Sequence, residues 1–359
     1  GCDLDDKVKW AESACPRGMW GPGRNFAPGV VPLIYEVDDP DRTLPGVIDF
    51  LMPASTPTGD MTGIGDALSM GPVVQALSRK AQKDGRRVRF CAPSHRVDWC
   101  EFSSPGIEVD DLSNPDRMFG EVKYHSSDMQ FIELDETAKL NGLNRHSWWA
   151  NRFHLDYEEM MENYDYHITD EAIRQVLNIG QLQVARTRRQ PIIVIAPHAH
   201  APLRTWPMHH MVELAWIFKE LKACVLIIGG PDLKAIETFP GLKFNGPNPD
   251  ATAAIMSAAD LVIANDSGMA HMGAFIKRPT IAICGPTDGR VVFEGYGSVD
   301  WMQSERECQG CLWYQQNGYK PWCNHGCEAL HDIKPSAVID KAREILSRGN
   351  VELRKGGAQ

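Results

Sequence analysis

Between Leu261 and Asp288 the sequence runs twice from an apolar stretch into polar and glycine residues. Leu261, Val262 and Ile263 lead into Asn265-Asp266-Ser267-Gly268-Met269-Ala270-His271, and residues 280–284 lead into Gly285-Pro286-Thr287-Asp288. Short apolar runs without alternation suit strands buried on both faces, as in parallel sheets covered by helices. Ligands of such sheets gather beyond the carboxyl ends of the strands. Asp266 and Ser267 are good N-cap types, and Gly268 lets backbone N–H groups approach a ligand before a helix continues. A helix start of this kind favours an anion such as a diphosphate, although the same residues also satisfy an ordinary capped turn between strand and helix.

The rest of the chain repeats the alternation. Strands are expected at 47–52, 88–91 and 129–134, with a helix through Leu68, Val73, Val74 and Leu77. Residues 153–190 read as helical and charged, and their arginine-rich end (Arg186, Arg188, Arg189) reads as a solvated linker. Strand signals at 192–196 and 225–228 flank a helix that carries Met211, Leu214, Ala215, Phe218 and Leu221 on one face. An alanine-rich helix follows Pro249-Asp250, and a last helix spans 335–346. Residues 1–45 are rich in Gly, Pro and Asp and show no sustained period. The expectation is an α/β protein with two Rossmann-like domains facing a cleft. These would occupy 46–180 and 181–359, after an irregular extension at 1–45.

A length of 359 residues exceeds what one core usually serves, which agrees with two domains. No apolar run approaches the roughly 20 residues needed to cross a bilayer, so membrane insertion is not expected. The net charge of −10 and the shortness of the basic blocks disfavour nucleic acid as a partner. No basic region followed by an apolar stretch opens the sequence, which points to a cytoplasmic protein. Of the ten cysteines, Cys308, Cys311, Cys323 and Cys327 form two close pairs eleven residues apart. That spacing suits tetrahedral thiolate binding of iron or zinc, with Trp313, Tyr314 and Trp322 available to cover the sulfurs. In a reducing compartment a metal knuckle is favoured over disulfides.

Four motifs in this order resemble glycosyltransferase family nine, whose best-known members are the heptosyltransferases of lipopolysaccharide core assembly. They are Gly65-Asp66-Ala67-Leu68, Arg204-Thr205-Trp206-Pro207, the run from Asp266 to His271, and Gly285-Pro286-Thr287-Asp288. The likeness covers roughly residues 47–345. It implies a GT-B type fold with the acceptor mainly on the first domain and a nucleotide-activated sugar, ADP-heptose foremost, on the second. It also implies inverting transfer without a catalytic metal, to a saccharide or protein hydroxyl. Arg204 stands where the family often places a lysine that meets the phosphates; a guanidinium keeps the charge and changes the geometry. The cysteine set is similar to that of autotransporter heptosyltransferases, in which such a motif holds iron. Here the metal is expected to be structural, tying a loop near the acceptor entrance and contributing to a homo-oligomer contact.

The chemistry makes matching demands. Glycosyl transfer needs a base for the acceptor hydroxyl and a cationic setting for the departing diphosphate. Asp66, at a helix start and preceded by Gly63 and Gly65, is the candidate catalytic base, with an N-cap as its plainer role. Arg204, Asp266, Ser267 and Gly268 are the candidate donor-binding residues. His271, one turn beyond Ser267, is placed to meet a phosphate oxygen or brace the loop. Asp232, after Gly229-Gly230-Pro231, is a candidate for the ribose hydroxyls, and the loop residues His198 and His200 for the donor side. The alternatives are a nucleotide-sugar epimerase of the same fold and a non-catalytic scaffold.

Overall fold

The computed structural model describes residues 43–52, 63–114, 116–125, 135, 138–229, 236–245, 248–308, 310–311, 327–351 and 353. In the first lobe, β1 (Thr43–Leu51) is followed by α1 (Ile64–Lys83), β2 (Arg87–Ala92), α2 (Val97–Ser103), β3 (Glu108–Asp111) and β4 (Phe119–His125). These strands form a parallel sheet in the order β3-β2-β1-β4. Four helices then cross to the second lobe: α3 (Arg145–Arg152), α4 (Tyr157–Glu162), α5 (Asp170–Leu177) and α6 (Gly180–Thr187).

The second lobe begins with β5 (Ile192–Ala196), α7 (Met208–Glu220), β6 (Cys224–Gly229), β7 (Leu242–Asn245) and α8 (Pro249–Ser257). It continues through β8 (Leu261–Asn265), α9 (Gly268–Phe275), β9 (Thr280–Ile283), α10 (Gly289–Phe293) and β10 (Val299–Met302). It ends in α11 (Glu328–Asp332) and α12 (Pro335–Arg348). The sheet is parallel in the order β10-β9-β8-β5-β6-β7. Among the described residues no helix is long and apolar enough to cross a membrane.

The period of two along β5 sorts its side chains into two cores. Val194 and Ala196 join a continuous apolar interior that also holds Phe50 and Phe90 of the first sheet. Ile193 and Ile195 face Leu214 and Phe218 of α7 and Ile339 of α12 on the opposite face. The connecting helices are tied into this frame as well: the Tyr164 ring stacks on Phe275 of α9 with centroids 5.0 Å apart.

The expected α/β fold of two parallel sheets is present, with differences in detail. The arginines Arg186, Arg188 and Arg189 are exposed as expected, but the stretch that carries them is not a bare linker, because it forms or follows helix α6, which buries Leu182 and Ala185. Strands β3, β4, β7 and β10 were not anticipated; all four interleave charged or polar residues with apolar ones, and β3, β7 and β10 are only four residues long. The strand expected at 129–134 and most of the extension at 1–45 lie outside the described residues.

Candidate functional site

In each sheet the strand order switches direction beside the first strand: β1 lies between β2 and β4, and β5 between β6 and β8. Connections diverge at such points and leave a crevice beyond the strand ends. The opening of α1 lies beyond β1, the turn Pro202–Arg204 beyond β5, and Asp266-Ser267 beyond β8.

The openings of α1 and α9 touch across the lobes. A Cβ added to Gly65 would lie 2.5 Å from Cδ2 of His271, and one added to Gly268 would lie 2.7 Å from Cβ of Ile64. The bare backbone of Gly268 is therefore used for packing between lobes, a different reason for glycine than the close approach to a ligand expected from its sequence.

Asp66 sits on the first turn of α1 with its side chain 24% exposed. One carboxylate oxygen accepts the Gly63 N–H at 2.8 Å, and the other lies 3.8 Å from a guanidinium nitrogen of Arg145. The capping role thus occupies one oxygen and leaves the other facing Arg145. Burial pushes the carboxyl above its usual range and Asp135 adds to this, while Arg145, the Gly63 amide and Arg204 oppose it and do not prevail.

Arg145, buried at the start of α3, forks onto Asp135 at 2.8 and 2.6 Å. A further nitrogen lies 3.3 Å from Ser69 Oγ. Ser69 is fully buried on α1, and its hydroxyl also lies 3.1 Å from Nδ1 of His271. Burial, with help from Arg145 and His146, holds the His271 imidazole well below its ordinary pKa and hence neutral. It also packs against Phe293 with ring centroids 4.8 Å apart, so in this structure it braces the junction of the lobes.

On the second lobe, Arg204 closes the turn after β5 and approaches the buried Asp266 carboxylate at 3.7 Å. Its Nε is buried and makes no hydrogen bond among the described residues. Thr287 of the Gly-Pro-Thr-Asp motif donates its hydroxyl to the same carboxylate. Ser267 caps α9 by accepting the Met269 N–H at 3.3 Å. Asp288 caps α10 and lies 3.4 Å from Lys139 Nζ, so the first half of the chain reaches this loop too.

Two further side chains, Asn265 and Trp206, position this group. The Asn265 amide accepts the Trp206 N–H at 2.9 Å and donates to the Pro197 carbonyl at 2.7 Å. The Trp206 indole donates to the Ile333 carbonyl at 3.0 Å. Together these bonds fix the loop that carries Arg204. An asparagine closing an apolar strand was the available clue to the first. Arg145 gave none, because its partners lie far away in sequence.

Asp232 falls outside the described residues. His198 is half-buried and His200 exposed. Cys308 is half-buried, Cys311 and Cys327 are buried, and Cys323 is outside the described residues. A Cβ on Gly285 would lie 3.0 Å from Cys327 Sγ, and one on Gly310 would lie 2.9 Å from Lys139 Nζ. Cys327 therefore lies against the start of the Gly-Pro-Thr-Asp loop, and Gly310 lies beside Lys139. Among the described residues no three His, Cys, Asp or Glu side chains gather as a metal-binding set.

Two parallel α/β sheets meeting at their switch points define a GT-B type fold, the class to which the heptosyltransferase structures belong. The profile of glycosyltransferase family 9 (heptosyltransferase) matches residues 150–318, in agreement with the resemblance carried by the four motifs. A curated relative, lipooligosaccharide heptosyltransferase 2 of Haemophilus influenzae, is 26% identical over 197 residues. That alignment covers 51% of this chain and 56% of the relative, so the chain spans little more than half of the relative's length. Among solved structures, E. coli ADP-heptose lps heptosyltransferase II superposes with a TM-score of 0.52 at 13% identity, covering 85% of this chain and 99% of that one. The dodecameric iron-containing heptosyltransferase TibC, in complex with ADP-D-beta-D-heptose, gives 0.55 at 13% identity, covering 84% and 76%.

Proposed function

We propose that this chain is a glycosyltransferase that moves heptose from ADP-heptose to an acceptor hydroxyl of a lipopolysaccharide core, with inversion at the anomeric carbon. The observation that carries the reading is the position of Asp66. Its carboxyl is held above the ordinary range at the junction of the lobes, within reach of the field of Arg204 from the second lobe. A carboxylate tuned upward is a better base for a hydroxyl proton. In the step, Asp66 takes the acceptor proton, the acceptor oxygen bonds to the anomeric carbon, and the bond from that carbon to the diphosphate breaks. The leaving ADP carries the electron pair away, and Arg204 and the backbone N–H groups at the start of α9 receive its negative charge. Asp266 holds Arg204, and Asp232 is assigned to the ribose hydroxyls.

The relative and the solved neighbours named above act on or bind this donor or its product class by their own descriptions, which supports the choice of ADP-heptose. A second reading, a protein hydroxyl as acceptor, is favoured by the four-cysteine motif, which is similar to that of autotransporter heptosyltransferases. The motif is assigned a structural iron or zinc, and metal-free protein on elemental analysis removes that assignment.

Mass spectrometry of core-truncated lipopolysaccharide and of candidate protein acceptors, each incubated with ADP-heptose, tests the function. Heptose addition to either is expected, and Asp66→Ala should lower kcat by about 10²–10⁴-fold. Absence of transfer to every acceptor overturns the activity, and full activity in Asp66→Ala removes the base.

A further inference from the structure

We propose that Arg145 is a positioning residue for Asp66, and that Asp135 sets how strongly it acts, so that the buried Asp135–Arg145 pair aims and tunes the carboxylate from behind. The inference rests on the reading of Asp66 as the base. Its ground is geometric. Arg145 is committed by two short bonds, 2.8 and 2.6 Å, to Asp135, and it reaches Asp66 only at 3.8 Å. Arg145 gives Nε and Nη2 to Asp135, and its remaining nitrogen, Nη1, stands 3.8 Å from Asp66, beyond hydrogen-bond reach. Asp66 therefore sits in the field of a fixed cation without accepting a hydrogen bond from it.

The same arrangement holds that oxygen in place. Arg145 also meets Ser69 Oγ at 3.3 Å, and Ser69 returns to the Gly65 carbonyl at 2.8 Å, one residue before Asp66. The second oxygen is fixed by the Gly63 N–H. The charged and titratable groups facing Asp66 come from every element around it. They are Arg145 of α3 with Asp135 before it, Arg204 from the turn after β5, Arg96 from the turn Ser94–Arg96, and Tyr296 from the turn Glu294–Tyr296. Of these, Arg145 opposes the upward push on Asp66 most strongly, and Asp135 adds to that push.

Opposite shifts follow from the two halves of the pair. Arg145→Gln removes the cation and should raise the Asp66 midpoint by about one unit. Asp135→Asn removes an anion and frees the guanidinium to turn toward Asp66, so it should lower the midpoint by a similar amount. Arg145→Lys keeps the charge without the fork and should hold the midpoint within about half a unit while lowering kcat more than it changes KM.

The measurement is a carboxyl-carbon NMR titration of the full-length chain, with the Asp66 signal identified by its loss in Asp66→Asn. The acid limb of ADP release from ADP-heptose in the presence of core-truncated lipopolysaccharide is followed alongside. Shifts of opposite sign establish the proposal. An unmoved Asp66 midpoint in both Arg145→Gln and Asp135→Asn overturns it. Should Arg145→Gln not fold, the direction in Asp135→Asn decides alone: downward supports, unmoved or upward overturns. Because the titration needs neither donor nor acceptor, a missing activity would refute the proposed function without touching this result.

Discussion

The central strand of the first sheet buries a charge, whereas the central strands of the second bury apolar side chains until their last position. Asp49 of β1 is fully buried between Arg89, at 2.8 Å, and Arg117, at 2.6 Å, and it also accepts the Gly120 N–H at 2.8 Å. In β5 and β8 the residues are Ile-Ile-Val-Ile-Ala and Leu-Val-Ile-Ala-Asn, and Asn265 is the single polar side chain. The first lobe thus depends on a charge network inside its sheet. The second concentrates polar groups at the strand ends, where a ligand would meet them. The contrast separates charges buried within a sheet from polar groups gathered at strand ends.

The strongest challenge to this contrast is Asp49→Ala. It would leave Arg89 and Arg117 buried without their shared partner, and denaturant unfolding should show a loss of about 3–5 kcal/mol. A loss under 1 kcal/mol would mean the network contributes little to the first lobe. In the second lobe, Asn265→Ala strands the Trp206 N–H and the Pro197 carbonyl, for a loss of about 2–3 kcal/mol. Because the loop bearing Arg204 is then released, ADP-heptose affinity by calorimetry should fall with it. Unchanged affinity would separate Asn265 from the site.

Between the sheets, acid should act on the junction. His146 is fully buried beside Ser69, and burial together with Arg145 holds its pKa down to about 3. The unfolded chain takes up a proton as pH falls below about 6.5 while the folded chain does not. The stability from the neutral ring is therefore complete above that pH and is lost progressively toward about 3. Between pH 6.5 and 5 the loss is on the order of 2 kcal/mol, read as a falling Tm that His146→Gln should flatten. The smallest effect belongs to Ser267→Ala, which removes the cap of α9 at about 1 kcal/mol. A larger fall in donor affinity than in stability would mark Ser267 as a ligand group.

Legibility in the sequence followed the same divide. The second sheet announced itself, since runs such as Leu261-Val262-Ile263 and residues 280–283 are apolar on both faces and end in punctuating polar residues. Asp66, Arg204, Asp266 and Ser267 were readable because each lies at an element boundary, where helix capping and strand ends narrow the residue types. The charge-bearing strand β3 and the Asp135–Arg145 pair were hidden, because buried ionic partners meet only after folding brings distant segments together. The role of His271 was half readable. Its helical spacing from Ser267 was plain, but the partner it meets, Ser69, comes from the other lobe.

The contact of Gly65 with His271 and of Gly268 with Ile64 also bears on how the two lobes move. With no side chain to act as a spacer, the two helix ends form a fulcrum. Rocking of one lobe about that point displaces the outer rims most and the turns bearing Asp66 and Ser267 least. The spacing between Asp66 and Ser267 is then the part of the cleft that such a motion alters least.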